Sequence, residues 1–531
     1  MTDEPPSREP EQILSRDPEP VLYDEKAVKK VFKLVTYLMR KHRFVSQNTT
    51  ERSPIWIYDP NVGLWKEDGI SVVRNWLEAY LAEHWNKYLV GQIITRLRDK
   101  VFKEGLIMGD PSLTKCRMVM RNGTYDLTED KFYEGVFFPD EYQITGLRVR
   151  YDPNAICPKY EKFENELLDF REDIMAIEEF IGYCLLKEYP IAVVMMLLGF
   201  GANGKSTLLA VLRRFLGVEN CAGTTPQQLE FDKFTRARLH GKLANIAGDI
   251  PSRQLHGKIM KMFSGNDLVT AEHKNQDPFD FVNYAKMIYS GNVLPSSRDN
   301  SDAYHRRLRV IEFKKVFRSS DPNTRLQSDL VAELTTEEEL SGMFNLFLRG
   351  LKRFLKQGEL TGEKPVWLKK AENIALSDSV QFFGLYCCEA DPLMTKDQAP
   401  VKADVVDLYS DVSVALGQVP KSKRVFEENL QRWVTNIESD KQTSGDRLPV
   451  WAGLRLREDV IGFVRDGGLP GLRRLDPSIE LIEVSTSTEA IQSPRRGERH
   501  RRQDEDEEKP NIDDLFEPKA DPPAEKKEGE N

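Results

Sequence analysis

The sequence predicts an α/β protein built around a P-loop, with a mostly parallel sheet covered by helices on both faces. Three observations carry this. An unbroken apolar run, Ile191 to Leu198, reads as a strand buried on both sides. The glycine-rich segment G-F-G-A-N-G-K-S follows at once, and Thr207 to Leu216 then has the pattern of a helix. From there to about Phe317, strand-like and helix-like segments alternate, the signature of a parallel sheet.

In chain order, residues 1–23 form an acidic, Pro-rich arm expected to be disordered. They lack the apolar core of a secretory signal. Residues 24–160 read as an N-terminal α+β accessory domain. It opens on a helix with Val28, Val31, Phe32, Val35, Leu38 and Met39 at three- and four-residue spacing. A hairpin follows around Asp59–Gly63, and strands at 118–135 turn at Asn122-Gly123 and Thr128–Asp130. Residues 161–350 are assigned to the ATPase domain. Residues 351–484 read as a helical, winged-helix-like domain, with helices expected at 404–417 and 422–437 and wing strands at 447–457. Residues 485–531 form a charged tail expected to be disordered, its arginine block 495–502 backed by the acidic run 504–508.

The 531 residues carry a net charge of −9, which excludes a globally basic nucleic-acid coat but not a local basic channel. No run of eighteen apolar residues occurs, so a spanning helix is not expected. The six cysteines form no CxxC pair, which argues against a zinc ribbon or disulfide framework and fits a reducing cytoplasm.

Residues Gly199, Phe200, Gly201, Ala202, Asn203, Gly204, Lys205, Ser206 and Thr207 are the candidate phosphate cradle. The glycines let backbone N–H groups converge on an anion at the positive end of a helix. Lys205 is expected to reach the β- and γ-phosphates of ATP, and Ser206 to offer its hydroxyl to Mg²⁺. Asp249, ending an apolar strand, can hold the same Mg²⁺ and help orient water. Asn292 ends the next such strand and is the candidate sensor. Arg306 and Arg307, just before a further strand, suit charge developing on a transferring phosphoryl group. Each of these polar residues, taken alone, also reads as an ordinary turn or surface residue.

In combination they resemble superfamily 3 helicases, and more closely the helicase part of phage, plasmid and poxvirus-type primase-helicases. The matching segments are G-F-G-A-N-G-K-S-T, Asp249, S-G-N-V-L-P and D-A-Y-H-R-R-L-R-V-I-E-F. The resemblance implies an AAA+-like domain in a homo-oligomeric ring, a hexamer, with ATP at subunit interfaces. It makes Asp249 the Walker B acid, Asn292 the sensor, Arg306 the preferred arginine finger acting in trans and Arg307 the second choice. It places Lys261 against the neighbouring subunit's ATP. Gly248 precedes Asp249 where many relatives have a second acid, so the general base stays open.

The hairpin expected at 267–281 would line the ring's pore, with Lys274 and His273 gripping single-stranded or forked DNA; an ordinary solvated turn is the alternative. Lys421, Lys423, Arg424 and Arg432 are the candidate DNA contacts of the second winged-helix helix. No D-x-D carboxylate pair occurs before residue 190, so primer synthesis would fall to a separate primase or polymerase. The function expected is an ATP-dependent replicative helicase with no membrane partner, acting in a host cell's cytoplasm and encoded by a mobile element. Two alternatives stay open: an ATP-switched DNA-binding initiator without processive unwinding, and a P-loop kinase or metabolic ATPase.

Overall fold

The computed structural model describes residues 27–82, 85–114, 116–251, 257–265, 267–274, 278–297, 299–317 and 326–468. The expected N-terminal arm and C-terminal charged tail lie outside the described residues.

The chain opens with α1 (Ala27–Lys41), β1 (Phe44–Val45), β2 (Trp56–Asp59), β3 (Leu64–Lys66), α2 (Gly69–Leu81) and α3 (Lys87–Val101). The strands pair antiparallel in the order β1-β2-β3, with the hairpin turning at Asp59–Leu64. Leu34, Val35 and Leu38 of α1 pack with Val73 and Leu77 of α2 and with Val90, Ile93 and Leu97 of α3. Arg98 is buried in this unit, where its guanidinium donates to the Ser53 and Glu51 carbonyls.

After α4 (Pro111–Thr114), β4 (Arg117–Met120), β5 (Gly123–Asp126) and β6 (Lys131–Glu134) form an antiparallel meander. Met118, Met120 and Tyr125 of this meander share one core with the helices that follow. Those are α5 (Pro158–Leu167) and α6 (Arg171–Tyr183).

The central sheet is built from β7 (Val194–Leu198), α7 (Lys205–Leu216), β8 (Cys221–Ala222), α8 (Pro226–Phe231), α9 (Lys233–Arg236), β9 (Ala244–Ala247), α10 (Gly257–Phe263), the hairpin β10 (Leu268–Glu272) and β11 (Pro278–Val282), β12 (Lys286–Gly291), α11 (Asp302–His305) and β13 (Leu308–Glu312). Five of these strands pair in parallel in the order β13-β7-β12-β9-β8. Side chains alternate along β7. Met195 and Leu197 enter a core with α6 and α7, while Val194, Met196 and Leu198 enter a second core with α10 and the β10–β11 hairpin. Both faces of the sheet are thus covered, as the continuous apolar run requires.

α12 (Gln327–Leu334) leads into α13 (Glu337–Gln357), a 21-residue helix buried against α6. Glycines set that approach. A Cβ at Gly182 would lie 2.1 Å from the Phe347 carbonyl oxygen, and one at Gly350 would lie 2.8 Å from that of Glu178. Arg353 of α13 pairs with Glu178 (3.0 Å) and Glu179 of α6.

The C-terminal unit comprises α14 (Val366–Ser377), α15 (Ser379–Tyr386), β14 (Cys388–Ala390), α16 (Lys402–Ala415), α17 (Lys423–Trp433), β15 (Glu438–Lys441), β16 (Pro449–Ala452), β17 (Leu454–Leu456) and α18 (Glu458–Arg465). It has its own core, around Phe383, Tyr409, Phe426 and Trp451. β15 and β16 form an antiparallel hairpin after α17, whereas the two strands expected as a wing at 447–457 do not pair with each other: β16 pairs with β15 and β17 with β14. All six cysteines are free. No described helix is long and apolar enough to cross a membrane.

Candidate nucleotide site and its arginine face

The glycine-rich loop lies where β7 ends and α7 begins. Four of its residues have positive φ: Gly199 (155°), Gly201 (62°), Ala202 (44°) and Gly204 (80°). This left-handed path turns successive amides to one side, the geometry of an anion nest. Gly204 has no room for a side chain, because a Cβ there would sit 2.2 Å from Leu167 Cδ2. The loop is pinned from three sides. Gly199 N donates to the Gly291 carbonyl (3.1 Å), Phe313 N to that of Leu198 (2.7 Å), and Phe317 N to that of Ala202 (2.6 Å).

Lys205 is the first residue of α7 and is buried. Its ammonium donates to the Gly199 carbonyl and to Asn203 Oδ1 (2.9 Å). Burial pulls Lys205 below the usual lysine range, and the negative charge of Asp249 acts in the opposite direction. Asn203 is buried too and donates to the Phe313 carbonyl (3.3 Å), so its side chain braces the loop from within. Phe200, by contrast, is 72% exposed at the loop tip. Ser206 is exposed at the start of α7, and Thr207 follows it on the same helix.

Asp249 lies two residues beyond β9, is exposed, and has φ of 50°. Aspartate tolerates this left-handed conformation better than most residues. Its loop is tied to the end of β12 by the Ile250 N–H to the Ser290 carbonyl (2.9 Å). Asn292 follows β12 directly and is exposed. Since Gly291 pairs with Leu198, Asn292 lies beside the start of the glycine loop. The sheet therefore gathers the loop, Asp249 and Asn292 at the C-terminal ends of three adjacent parallel strands. Among the described residues, no cluster of three or more His, Cys, Asp or Glu could hold an ion. A cation here would depend on one hydroxyl, one carboxylate and phosphate oxygens, which suits Mg²⁺.

Arg306 and Arg307 are not at that end. β13 starts at Leu308, level with Val194, and the Val194 N–H donates to the Arg307 carbonyl (2.7 Å). The two arginines thus lie at the N-terminal edge of the sheet, separated from their own loop by the length of β7. Arg306 is exposed, whereas Arg307 is half-buried and donates to the Ala303 carbonyl. The nearby Arg309 is structural, buried and paired with Asp173 (3.1 Å).

Lys261, on α10, groups with the arginines and not with the loop of its own chain. It pairs with Asp299 (2.8 Å) and donates to Ser301 Oγ (2.9 Å), just before α11. It also borders a cleft of about 530 Å³ with Lys258, Asp267 and Asp299. The C-terminal unit holds this segment from behind: Lys369 Nζ donates to the Arg306 carbonyl (2.7 Å), and Gln381 to Asn300 Oδ1 (2.7 Å). Sequence reasoning missed Asp299, Ser301, Lys369 and Gln381, because none belongs to a motif and their roles come from tertiary contact.

The β10–β11 hairpin forms as expected, with Glu272 opposite Pro278 at its tip end. Lys274 is exposed beside the tip. His273 stacks on Phe279 at 4.9 Å, and His240 packs edge-on to the same ring. On α17, Lys423 and Arg424 are exposed but pair with Glu427 (4.0 Å) and Glu428 (2.8 Å) one turn on. The side chains of Lys421 and Arg432 are exposed, and the Lys421 amide donates to Tyr409 Oη (2.9 Å).

A family of unknown function, DUF5906, matches residues 197–307, from the end of β7 to the edge of β13. The chain is 24% identical over 454 residues to "Putative helicase L207/L206" of Acanthamoeba polyphaga mimivirus, covering 73% of this chain and 46% of that protein. It is 25% identical over 234 residues to "Putative helicase 184R" of Invertebrate iridescent virus 6, covering 40% of this chain and 24% of that one. It thus spans less than half the length of either relative. Among solved structures, two apo forms of the NrS-1 C-terminal region align with TM-scores of 0.41 and 0.42 at 13% and 12% identity. They cover 83% and 81% of this chain, and 92% and 99% of theirs. At low identity, then, the chain is similar to viral proteins named as helicases.

Proposed function

We propose that the protein is an ATP-driven DNA helicase motor of the superfamily 3 type, in which each nucleotide is held between two subunits of a ring. The observation that carries this reading is the placement of the cradle and the arginines at opposite ends of one parallel sheet. In a single chain that separation keeps Arg306 from its own nucleotide. In a head-to-tail ring it brings Arg306 and Lys261 of one subunit to the loop of the next, and a heterologous interface of this kind forms a ring when its rotation closes.

ATP is the substrate in this reading. The 199–206 loop amides and Lys205 bind its phosphates, and Lys205 moves from the Gly199 carbonyl to do so. Mg²⁺ held by Ser206 and Asp249 would neutralise charge on the phosphate oxygens. Asn292 orients the attacking water, and the neighbour's Arg306 balances charge on the transferring group. Lys274 and His273 grip one DNA strand. The exposed cations of α17 (Lys421, Lys423, Arg424, Arg432) give a second contact, weakened by Glu427 and Glu428. The viral relatives support a virus-encoded protein that works in a host cell; in this reading a separate primase or polymerase makes the primers.

The test is light-scattering mass with and without MgATP and forked DNA, with ATPase rate read in parallel. A ring-sized species whose ATPase rises with single-stranded DNA is expected. A monomer with DNA-insensitive ATPase would overturn the reading.

A further inference from the structure

Between α1 and α3 lies an open groove of about 1380 Å³, bordered by Phe32, Lys33, Lys87, Tyr88, Gly91 and Arg96. That is larger than the roughly 300–1,000 Å³ of small-molecule sites. Phe32 is 56% and Tyr88 74% exposed. Neither is needed by the core, which is filled by the opposite faces of the same helices. The two helices are basic in sequence, and their Lys33, Lys87 and Arg96 border the groove. The sequence of α1 has five Lys or Arg and no acid, and that of α3 has four and a single acid, in a chain of net −9. Of these, Arg98 is committed to backbone carbonyls. Glu51 and Asp99 also border the groove, so charge alone would hold an anion weakly there. The exposed rings supply what charge does not, since any base offers a face on which an aromatic side chain can stack.

Gly91 gives an independent indication. It lies inside α3, where glycine is less stable than alanine, yet a Cβ there would meet nothing within 4 Å. No packing contact among the described residues explains it, and it leaves the groove floor clear for close approach.

We propose that this groove binds single-stranded polynucleotide, with Phe32 and Tyr88 stacked on bases, Lys87 and Arg96 on phosphates, and the backbone passing over Gly91. The proposal deepens the DNA-motor reading, but it requires neither ATP nor a ring.

The test uses the full chain without nucleotide and a fluorescein-labelled oligothymidylate, read by anisotropy. Gly91→Leu fills the groove while improving helix propensity, and a Phe32→Ala/Tyr88→Ala pair removes the rings. Each is expected to weaken binding at least about tenfold, with DNA-independent ATPase unchanged. A blunt duplex of the same length should bind more weakly than the single strand. Wild-type affinity in both variants would overturn the proposal and leave the groove to a protein ligand. Equal affinity for the duplex would overturn the stacking. If Lys274→Glu alone removes binding, the groove proposal fails and the motor reading stands. If the groove variants weaken binding while Lys205→Ala hydrolyses ATP normally, the motor reading fails and the groove stands.

Discussion

Replacing Arg306 with alanine separates action within a subunit from action between subunits. Arg306 precedes the strand position paired with Val194, and the glycine loop begins after Leu198. The four strand steps of ~3.3 Å from Val194 to Leu198 alone separate the two by at least about 13 Å. Across that distance, at an effective protein dielectric of about 20, two unit charges interact by at most about 1.3 kcal/mol, roughly a tenfold effect on rate. An arginine delivered to the phosphate by a neighbour is worth roughly 10³–10⁵ in rate. Arg306→Ala should therefore lose at least about a thousandfold in ATPase rate while still binding nucleotide. Mixing gives the sharper result. Lys205→Ala and Arg306→Ala chains are each inactive, but at equal amounts about a quarter of the interfaces in a ring pair an intact Lys205 with an intact Arg306. Steady-state phosphate release should recover to about that fraction of the wild-type rate. No recovery on mixing, or a loss of no more than about tenfold in Arg306→Ala, would refute the reasoning.

Three further outcomes follow from the packing and charge. Burial, and then the negative charge of Glu178, hold the Glu164 carboxyl well above its ordinary range near 4.5, so the folded protein binds a proton there that the unfolded chain releases. Stability should fall as pH rises above the ordinary carboxylate range. Glu164→Gln, which mimics the protonated form, should raise the melting temperature at about pH 8.5 and change it little at about pH 5. Gly182→Ala drives a Cβ into the Phe347 backbone and should cost about 1–3 kcal/mol in urea unfolding, because α6 and α13 must separate. Lys274→Glu at the hairpin should abolish strand displacement while leaving DNA-independent ATPase near wild type; unwinding at the normal rate would remove the hairpin from the mechanism.

The sheet was legible because its strands are local and unambiguous. Ile191–Leu198 is apolar throughout, and the loop after it has a single reading. Asp249 and Asn292 could be placed because each follows a short apolar strand, and parallel pairing carries such strand ends to one edge. The helix at 404–417 and the two N-terminal hairpins followed from periodicity and turn residues in the same way, and the helix expected at 422–437 formed but ends at Trp433. What could not be read depends on long-range contact. Asn203 lies inside the motif, but that its side chain braces the loop depends on Phe313, 110 residues away. The Lys261–Asp299 pair and the Lys369 contact behind Arg306 depend on α10, α11 and α14 meeting in space. The groove between α1 and α3 left no motif, because exposed aromatics and one helical glycine acquire meaning only when the two helices are side by side.

Strand displacement on a forked DNA, measured for the wild-type chain and for Lys205→Ala in the presence of MgATP, tests the motor most directly. The account predicts that the wild-type chain releases the displaced strand only with hydrolysable nucleotide and that Lys205→Ala releases none. Unwinding by Lys205→Ala at the wild-type rate, or robust ATP hydrolysis by a wild-type ring that never separates the strands, would contradict it.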